Sequence, residues 1–161
     1  MCMSNLQKHL YLTSGPYGIL ASASDILEIA DYQNALCCES GSAAAHHGKT
    51  VVWRDERLPF LSLRACLQLE PDEPHNTLVL QDADGSPMAV LGVDSVNEIL
   101  TVDEDSLFHF EGIHAELNAL FDKLYLDTRT DQLLLHLKPG QQWVSLTLHD
   151  KNHLNPDSIE I

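Results

Sequence analysis

Short segments in which apolar and polar residues alternate, separated by turn residues, dominate the chain. Residues 9–13 (HLYLT) and 17–22 (YGILAS) flank a Ser-Gly-Pro turn and predict a β-hairpin. Residues 76–81 and 87–93 predict a second hairpin, because the Asp-Gly pair between them supplies the positive-φ residues of a tight turn.

The segments between these hairpins give more varied signals. Residues 49–54 and 57–63 are rich in β-branched, aromatic and other apolar side chains and predict two further strands. Pro59 has no N–H to donate, so the second of these strands is expected at a sheet edge or with a bulge. Residues 24–30 fit either a strand or one helical turn, whereas residues 37–48 are small and polar and predict a loop.

The last third of the chain shows both the helical and the strand periodicity of apolar residues. Apolar residues recur at helical spacing over 113–124 and predict one amphipathic helix, while residues 132–137 and 143–148 predict strands. The chain is therefore expected to be mainly β, of the barrel or sandwich class. We expect a single domain over residues 8–150, followed by a polar tail over residues 151–161.

The net charge of the protein limits the classes of partner that it is expected to bind. The 161 residues contain 24 acidic and 9 basic side chains, which gives a formal net charge of -15. Nucleic acid and anionic membrane surfaces attract basic proteins, so neither is an expected partner. No stretch approaches the apolar length of a membrane span, and the four cysteines lack the spacing of a disulfide framework. These features indicate a cytoplasmic protein with reduced thiols.

The motifs of catalysis and metal binding are missing from the linear sequence. Nine histidines are present, but neither the adjacent pair His46-His47 nor the pair His109 and His114 has the spacing of a metal site. A nucleophile elbow and a phosphate-binding loop are also absent. We therefore predict no catalytic residue, no metal ligand and no cofactor, and retain a small metal-dependent enzyme as the less favoured alternative.

Several short motifs follow one another in an order that points to a known family. They are Tyr17-Gly18, Glu28-Ile29, Arg54, Pro59, Leu63-Arg64 and Val93-Asp94-Ser95-Val96. In this order and spacing, over about residues 9–137, the chain resembles the CheW family of chemotaxis coupling proteins.

The resemblance implies a fold and a function. The fold would be two small five-stranded β-barrels packed on a shared core, with one or two short helices. The function would be that of a non-catalytic adaptor between the cytoplasmic tip of a chemoreceptor and the regulatory domain of a histidine kinase. By the same resemblance, Ile26, Glu28 and Arg54 are candidates for receptor binding, and Gly48 and Lys49 for kinase binding.

Each receptor-side candidate also has a structural interpretation. Ile26 can belong to the core, Glu28 can be a solvated surface charge, and Arg54 can form an intramolecular salt bridge. The candidate partners of Arg54 in such a bridge are Asp55, Glu56 and Asp94. Pro59 and Asp94 are interpreted as structural residues, for strand bending and turn capping.

The chain departs from the family pattern at several positions. The family's Asn-Leu-Arg-Gly reads Val52-Trp53-Arg54-Asp55 here, and Ser62 stands where the family has Asp. These departures leave open a stand-alone scaffold without kinase contact. The sequence also leaves open whether the pathway serves flagellar chemotaxis or pilus motility.

Overall fold

A computed structural model describes residues 5–31, 37–38, 50–70, 72–109 and 119–144. These residues form twelve β-strands, one short α-helix and three 3-10 turns. The strands are β1 Leu6–Ser14, β2 Tyr17–Ser22, β3 Ile26–Asp31, β4 Cys37–Cys38, β5 Thr50–Trp53, β6 Glu56–Ser62, β7 Asn76–Gln81, β8 Pro87–Val93, β9 Ser95–Asp103, β10 Phe108–His109, β11 Phe121–Asp127 and β12 Gln132–Leu137. The helix, α1, is Leu63–Cys66, and the 3-10 turns are Ala23–Asp25, Glu104–Ser106 and Gly140–Gln142.

The strands form two mixed sheets. The first sheet has the order β10-β11-β12-β2-β1-β9, and the second has the order β3-β7-β8-β6-β5-β4. Each sheet contains five longer strands and one two-residue strand, β10 or β4. One pair in each sheet is parallel, β12 with β2 and β6 with β8. The mainly β prediction is confirmed.

Both sheets bury apolar side chains on their two faces. Ile19 in the first sheet and Leu78 in the second point into one large cluster that the sheets share. Their sequence neighbours point the other way, so that Leu20 packs in a cluster of the first sheet and Val79 in a cluster of the second. Continuous apolar runs such as LVL over residues 78–80 are typical of strands that are buried on both sides. A shared core with a smaller core in each lobe follows from this arrangement.

The second sheet curls strongly. Its edge strand β3 carries Glu28, and three strands (β7, β8 and β6) separate β3 from β5 in the hydrogen-bonded order. Glu28 nevertheless lies 2.7 Å from Arg54, which directly follows β5. The two sides of this sheet therefore approach each other, as they do in a small barrel.

Both predicted hairpins are confirmed, as β1–β2 and β7–β8. In the second hairpin, Gly85 adopts φ +83°, the left-handed conformation that the Asp-Gly pair predicts. Residues 24–30 contain both of the predicted alternatives, because the 3-10 turn ends at Asp25 and β3 begins at Ile26.

The predicted helix over residues 113–124 is wrong in its last part. Phe121 and Leu124 belong to β11 and pair with Leu137 and Leu135 of β12. Residues 113–118 lie outside the described part of the chain, and only residues 119–120 of the predicted segment are helical in what is described. The apolar spacing fits both structures, and the hydrogen bonds to β12 favour the strand.

The strand predicted over residues 143–148 is also wrong where the structure describes it. Trp143 directly follows the 3-10 turn Gly140–Gln142, is 1% exposed, and donates from Nε1 to the Lys138 carbonyl at 3.0 Å. This turn places a large ring in the shared core and satisfies its single donor. Residues 145–148 and the predicted tail 151–161 lie outside the described residues.

Two smaller corrections concern the second sheet. β6, which contains Pro59, lies between β5 and β8, so its predicted place at an edge is wrong. Pairing with β8 begins at Phe60, so the proline lies just before that ladder. In the predicted loop, Cys37–Cys38 forms the short strand β4, and residues 39–48 lie outside the description.

Candidate protein-interaction site

Arg54 lies at the tip of the β5–β6 hairpin in a conformation that arginine rarely adopts. Trp53 pairs with Glu56, so Arg54 and Asp55 form a two-residue turn. Their φ angles are +49° and +65°, as in the primed turns that normally contain Asn or Gly. Left-handed backbone at such residues costs roughly 1 kcal/mol each. The hairpin thus holds an exposed arginine at an energetic cost.

The Arg54 side chain extends across the hairpin towards β3. Its guanidinium lies 4.8 Å from the centroid of the Trp53 ring, within the range of a cation–π contact. Nη2 donates to Glu28 Oε1 at 2.7 Å, so the structure brings two of the three receptor-side candidates together. The predicted alternative of a salt bridge holds for Arg54, but its partner is Glu28 and none of the three carboxylates that the sequence suggested.

Exposed apolar residues flank Glu28 in sequence along β3, and Ile29 lies on the face of the strand opposite to Glu28, because their partners Leu78 and Val79 point to opposite sides of the sheet. Ile26, the third candidate, is partly buried and packs against the shared core, in agreement with its structural interpretation. Leu27 and Ile29, which flank Glu28 in sequence, are 38% and 44% exposed. We call Leu27, Glu28, Ile29 and Arg54 together the β3–turn surface. It offers a charged fork on one face of the edge strand β3 and exposed apolar area of Ile29 on the other, and both components are common in protein-binding hot spots.

A second arginine of the family-like motifs, Arg64, has a different environment. Its Nε and Nη2 donate to the two carboxylate oxygens of Asp94 at 2.9 and 3.0 Å, and its Nη1 donates to the Glu70 carbonyl. Asp94 Oδ2 also accepts from the backbone N–H of Gly15 at 2.7 Å. The interpretation of Asp94 as a residue that caps a turn agrees with this contact.

The backbone at position 15 in the β1–β2 turn favours glycine. Gly15 has φ +60°, and a Cβ there would lie 2.6 Å from Leu69 Cδ1. The turn can therefore approach the segment after α1 closely enough for the Asp94 contact. Ser62, the departure from the family's Asp, accepts from Ala65 N at 3.3 Å at the start of α1. Serine and aspartate are similarly good in that capping role.

The kinase-side candidates Gly48 and Lys49 lie outside the described residues. Cys66 is a free thiol, and burial raises its pKa to about 12. This thiol therefore stays protonated and unreactive at neutral pH.

Sequence reasoning missed a cluster of polar side chains in the first sheet. His9 on β1 is fully buried, and its Nε2 lies 3.1 Å from Nε2 of His136 on β12. The same His9 atom lies 3.2 Å from Glu104 Oε2. Burial lowers the pKa of His9, with a smaller contribution from His136, and so favours the neutral ring. Linear spacing cannot reveal this cluster, because 127 residues separate the two histidines.

The fold and the exposed β3–turn surface define a mainly β domain suited to binding other proteins. The family model for CheW-like domains matches residues 17–136, about three quarters of the chain. The chain therefore belongs to the CheW-like domain family. This family consists of non-catalytic scaffolding proteins of chemotaxis signalling, which confirms the predicted adaptor class and the absence of an enzymatic role.

A solved structure supports the same fold. The chain is similar to the scaffolding protein CheW from Thermoanaerobacter tengcongensis, with a TM-score of 0.67 at 14% sequence identity. The match covers 84% of this chain and 90% of that chain, and it confirms the CheW-like fold. The comparison with curated proteins finds no match. Among the described residues, no helix is long and apolar enough to cross a membrane.

Proposed function

We propose that this chain is a cytoplasmic adaptor that couples chemoreceptors to a histidine kinase in chemotaxis or pilus-motility signalling. The receptor tip would bind at the β3–turn surface, and the regulatory domain of the kinase would bind near Gly48 and Lys49. The observation that carries the receptor side is the exposed Arg54–Glu28 pair, in which two candidates from separate motifs meet at 2.7 Å.

The energetics of this pair favour recognition over stabilisation. Arg54 is 71% exposed, and ion pairs of that exposure contribute about 0–1 kcal/mol to folding. The strained turn that presents the arginine costs at least as much. The ion pair and its turn therefore add little to folding stability. The exposed fork of Arg54 remains accessible to carboxylates or carbonyls of a partner.

The neighbouring apolar residues supply the second ingredient of an interface. Leu27 and Ile29 are exposed on an edge strand, so a partner that wraps around this edge can cover them together with Arg54 without disrupting the core. In a complex the Arg54 fork would lose water and gain further acceptors, which strengthens each of its hydrogen bonds. Receptor binding should therefore depend on Arg54 much more than folding does.

The test compares variants in binding to a receptor-tip fragment and to a kinase regulatory domain, measured separately. We expect Arg54→Ala to weaken receptor binding about thirty-fold, equivalent to about 2 kcal/mol, while kinase binding is unchanged. Arg54→Lys should restore little affinity, because lysine keeps the charge and loses the planar fork. Gly48→Asp should weaken kinase binding instead.

A matched control is Arg129→Ala. Arg129 is another exposed arginine in a hairpin turn, with Glu98 and Asp127 as partners, but it belongs to the first sheet. Normal receptor binding by Arg54→Ala, or equal loss in both variants, would contradict the proposed surface. Receptor binding without any kinase binding would favour the stand-alone scaffold.

A further inference from the structure

His9 and His136 of the first sheet and Glu104 of the 3-10 turn after β9 form an unusual group of polar side chains. His9 Nδ1 lies 3.3 Å from the Gln7 carbonyl oxygen, and His136 Nδ1 lies 3.4 Å from Asp122 Oδ1. The Gln7 carbonyl and the Asp122 carboxylate only accept hydrogen bonds and favour a hydrogen on Nδ1 of each ring, whereas the Glu104 carboxylate is a competing acceptor at Nε2 of His9. When the single N–H of a neutral ring is at Nδ1 in both histidines, both Nε2 atoms present lone pairs.

The two Nε2 atoms lie close to each other and to a carboxylate. The Nε2 atoms are 3.1 Å apart, and Glu104 Oε2 lies 3.2 Å from Nε2 of His9. In that tautomer three acceptor atoms converge within 4.8 Å of one another. Such a group is stable when a cation lies among its members.

We propose that His9, His136 and Glu104 form a binding site for a divalent transition-metal ion of the zinc type. Two histidine nitrogens and one carboxylate are a common ligand set for this ion. A zinc ion about 2.05 Å from both Nε2 atoms would subtend an angle of about 98° at their 3.1 Å separation, close to the tetrahedral value. Glu104 has a flexible side chain that can complete the approach.

The surroundings of the two rings match those of metal-binding histidines. In metal sites the second ring nitrogen usually donates to a carbonyl or a carboxylate, which fixes the tautomer. Gln7 and Asp122 occupy those two positions here. Asp25 adds a carboxylate close enough to interact with His136, whereas Lys123 opposes a cation close to His9. Three carboxylates (Asp25, Glu104 and Asp122) therefore lie near the two rings, against the one ammonium group of Lys123.

The position in the fold indicates a structural role. β2 lies between β1 and β12, and Ser22 of β2 stands directly opposite His9. This small side chain leaves room for two imidazoles to meet across β2. A bound ion would link β1, β12 and the 3-10 turn after β9. Glu104 is 23% exposed and gives the ion a route from solvent.

The experiment uses the full chain after chelator treatment and dialysis. Zn²⁺ is titrated by calorimetry, and thermal melts are recorded with and without the ion. We expect one ion per chain and a rise in Tm of about 5–10 °C when free Zn²⁺ is about 100-fold above Kd. Co²⁺ should give the absorption bands of a tetrahedral nitrogen–oxygen site.

Substitutions at the proposed ligands test where the ion binds. Glu104→Gln and His136→Gln should each weaken Zn²⁺ binding at least tenfold and abolish the Co²⁺ bands. Asp105→Asn, which changes the exposed neighbour of Glu104 in the same turn, is the matched control and should bind normally. The double variant His46→Asn/His47→Asn should also bind normally, which separates this site from the adjacent histidine pair.

Three outcomes would overturn the proposal. The first is the absence of any Zn²⁺ effect on Tm at millimolar concentration, which would indicate a shared proton between the rings. The second is unchanged binding by Glu104→Gln, and the third is loss of binding in the His46/His47 variant alone. If His136→Gln fails to fold, the variant of the partly exposed Glu104 and its Asp105 control decide the question.

Discussion

Two arginine–carboxylate pairs join distant parts of this chain, and they differ in depth and geometry. Arg64 and Asp94 form two parallel hydrogen bonds, and their side chains are 21% and 24% exposed. Arg54 and Glu28 form a single hydrogen bond at 2.7 Å, and Arg54 is 71% exposed. Both arginines belong to the family-like motifs, yet their environments differ.

The difference separates a structural residue from a candidate interaction residue. Arg64 uses three of its N–H groups on internal acceptors, and those acceptors lie on two separate segments. It therefore connects α1 to the β8–β9 junction and, through Asp94, to the β1–β2 turn. Arg54 makes one hydrogen bond within the described structure and keeps most of its donors in solvent. Motif order alone does not distinguish these roles.

The difference between the two arginines should be clearest in the stability of an Arg64 variant. We expect Arg64→Ala to lower the free energy of unfolding by about 2 kcal/mol, because a partly buried carboxylate loses two charge-assisted hydrogen bonds. The corresponding decrease in Tm is about 4–8 °C. Urea and thermal unfolding measure both quantities. Arg64→Lys is the matched control and should lose less, and a change below about 0.5 kcal/mol in Arg64→Ala would contradict the structural role.

Acid should weaken the Arg64–Asp94 connection. Burial raises the pKa of Asp94, but the hydrogen bonds from Arg64 and from the Gly15 N–H outweigh that effect and lower its pKa overall. The unfolded chain then binds more protons than the folded chain. The stabilisation is therefore complete above the ordinary aspartate pKa near 4 and is lost as the pH falls through the lower folded value.

Urea unfolding at pH 5, 4 and 3 measures this loss, and Asp94→Asn should remove part of the slope. The pH dependence of the unfolding free energy must be compared between wild type and variant, because other groups titrate as well. The Arg129 hydrogen bond lowers the pKa of Asp127 and adds to the loss, whereas burial raises the pKa of Asp25 and opposes it. Identical slopes in wild type and Asp94→Asn would contradict the prediction.

The smallest expected effect concerns the turn that carries Arg54. Asp55→Gly relieves the left-handed strain at φ +65° but adds flexibility to the unfolded chain, so we expect a gain of about 0.5 kcal/mol. The reverse change, Gly85→Ala at φ +83° in the β7–β8 turn, is the control and should cost about 1 kcal/mol. A loss of stability in Asp55→Gly would mean that the aspartate side chain supports the turn.

Local patterns predicted those parts of the fold in which neighbours in sequence are neighbours in space. The hairpins β1–β2 and β7–β8 follow from alternation and from their turn residues, and strand β12 has the predicted bounds. Predictions were wrong where one apolar spacing fits two structures. The spacing of Phe121 and Leu124 fits a helix as well as a strand, and pairing with β12 makes this segment a strand.

The sequence by itself determined the mainly β class, the family and the positions of the two arginines, because alternation, turn residues and motif order are local properties. Tertiary structure alone decided which carboxylate each arginine contacts. Glu28 meets Arg54 because the second sheet curls, and Asp94 meets Arg64 because α1 packs beside β8. It also brought His9 to His136 across β2. Contacts between residues far apart in the chain depend on strand order, which no local pattern encodes.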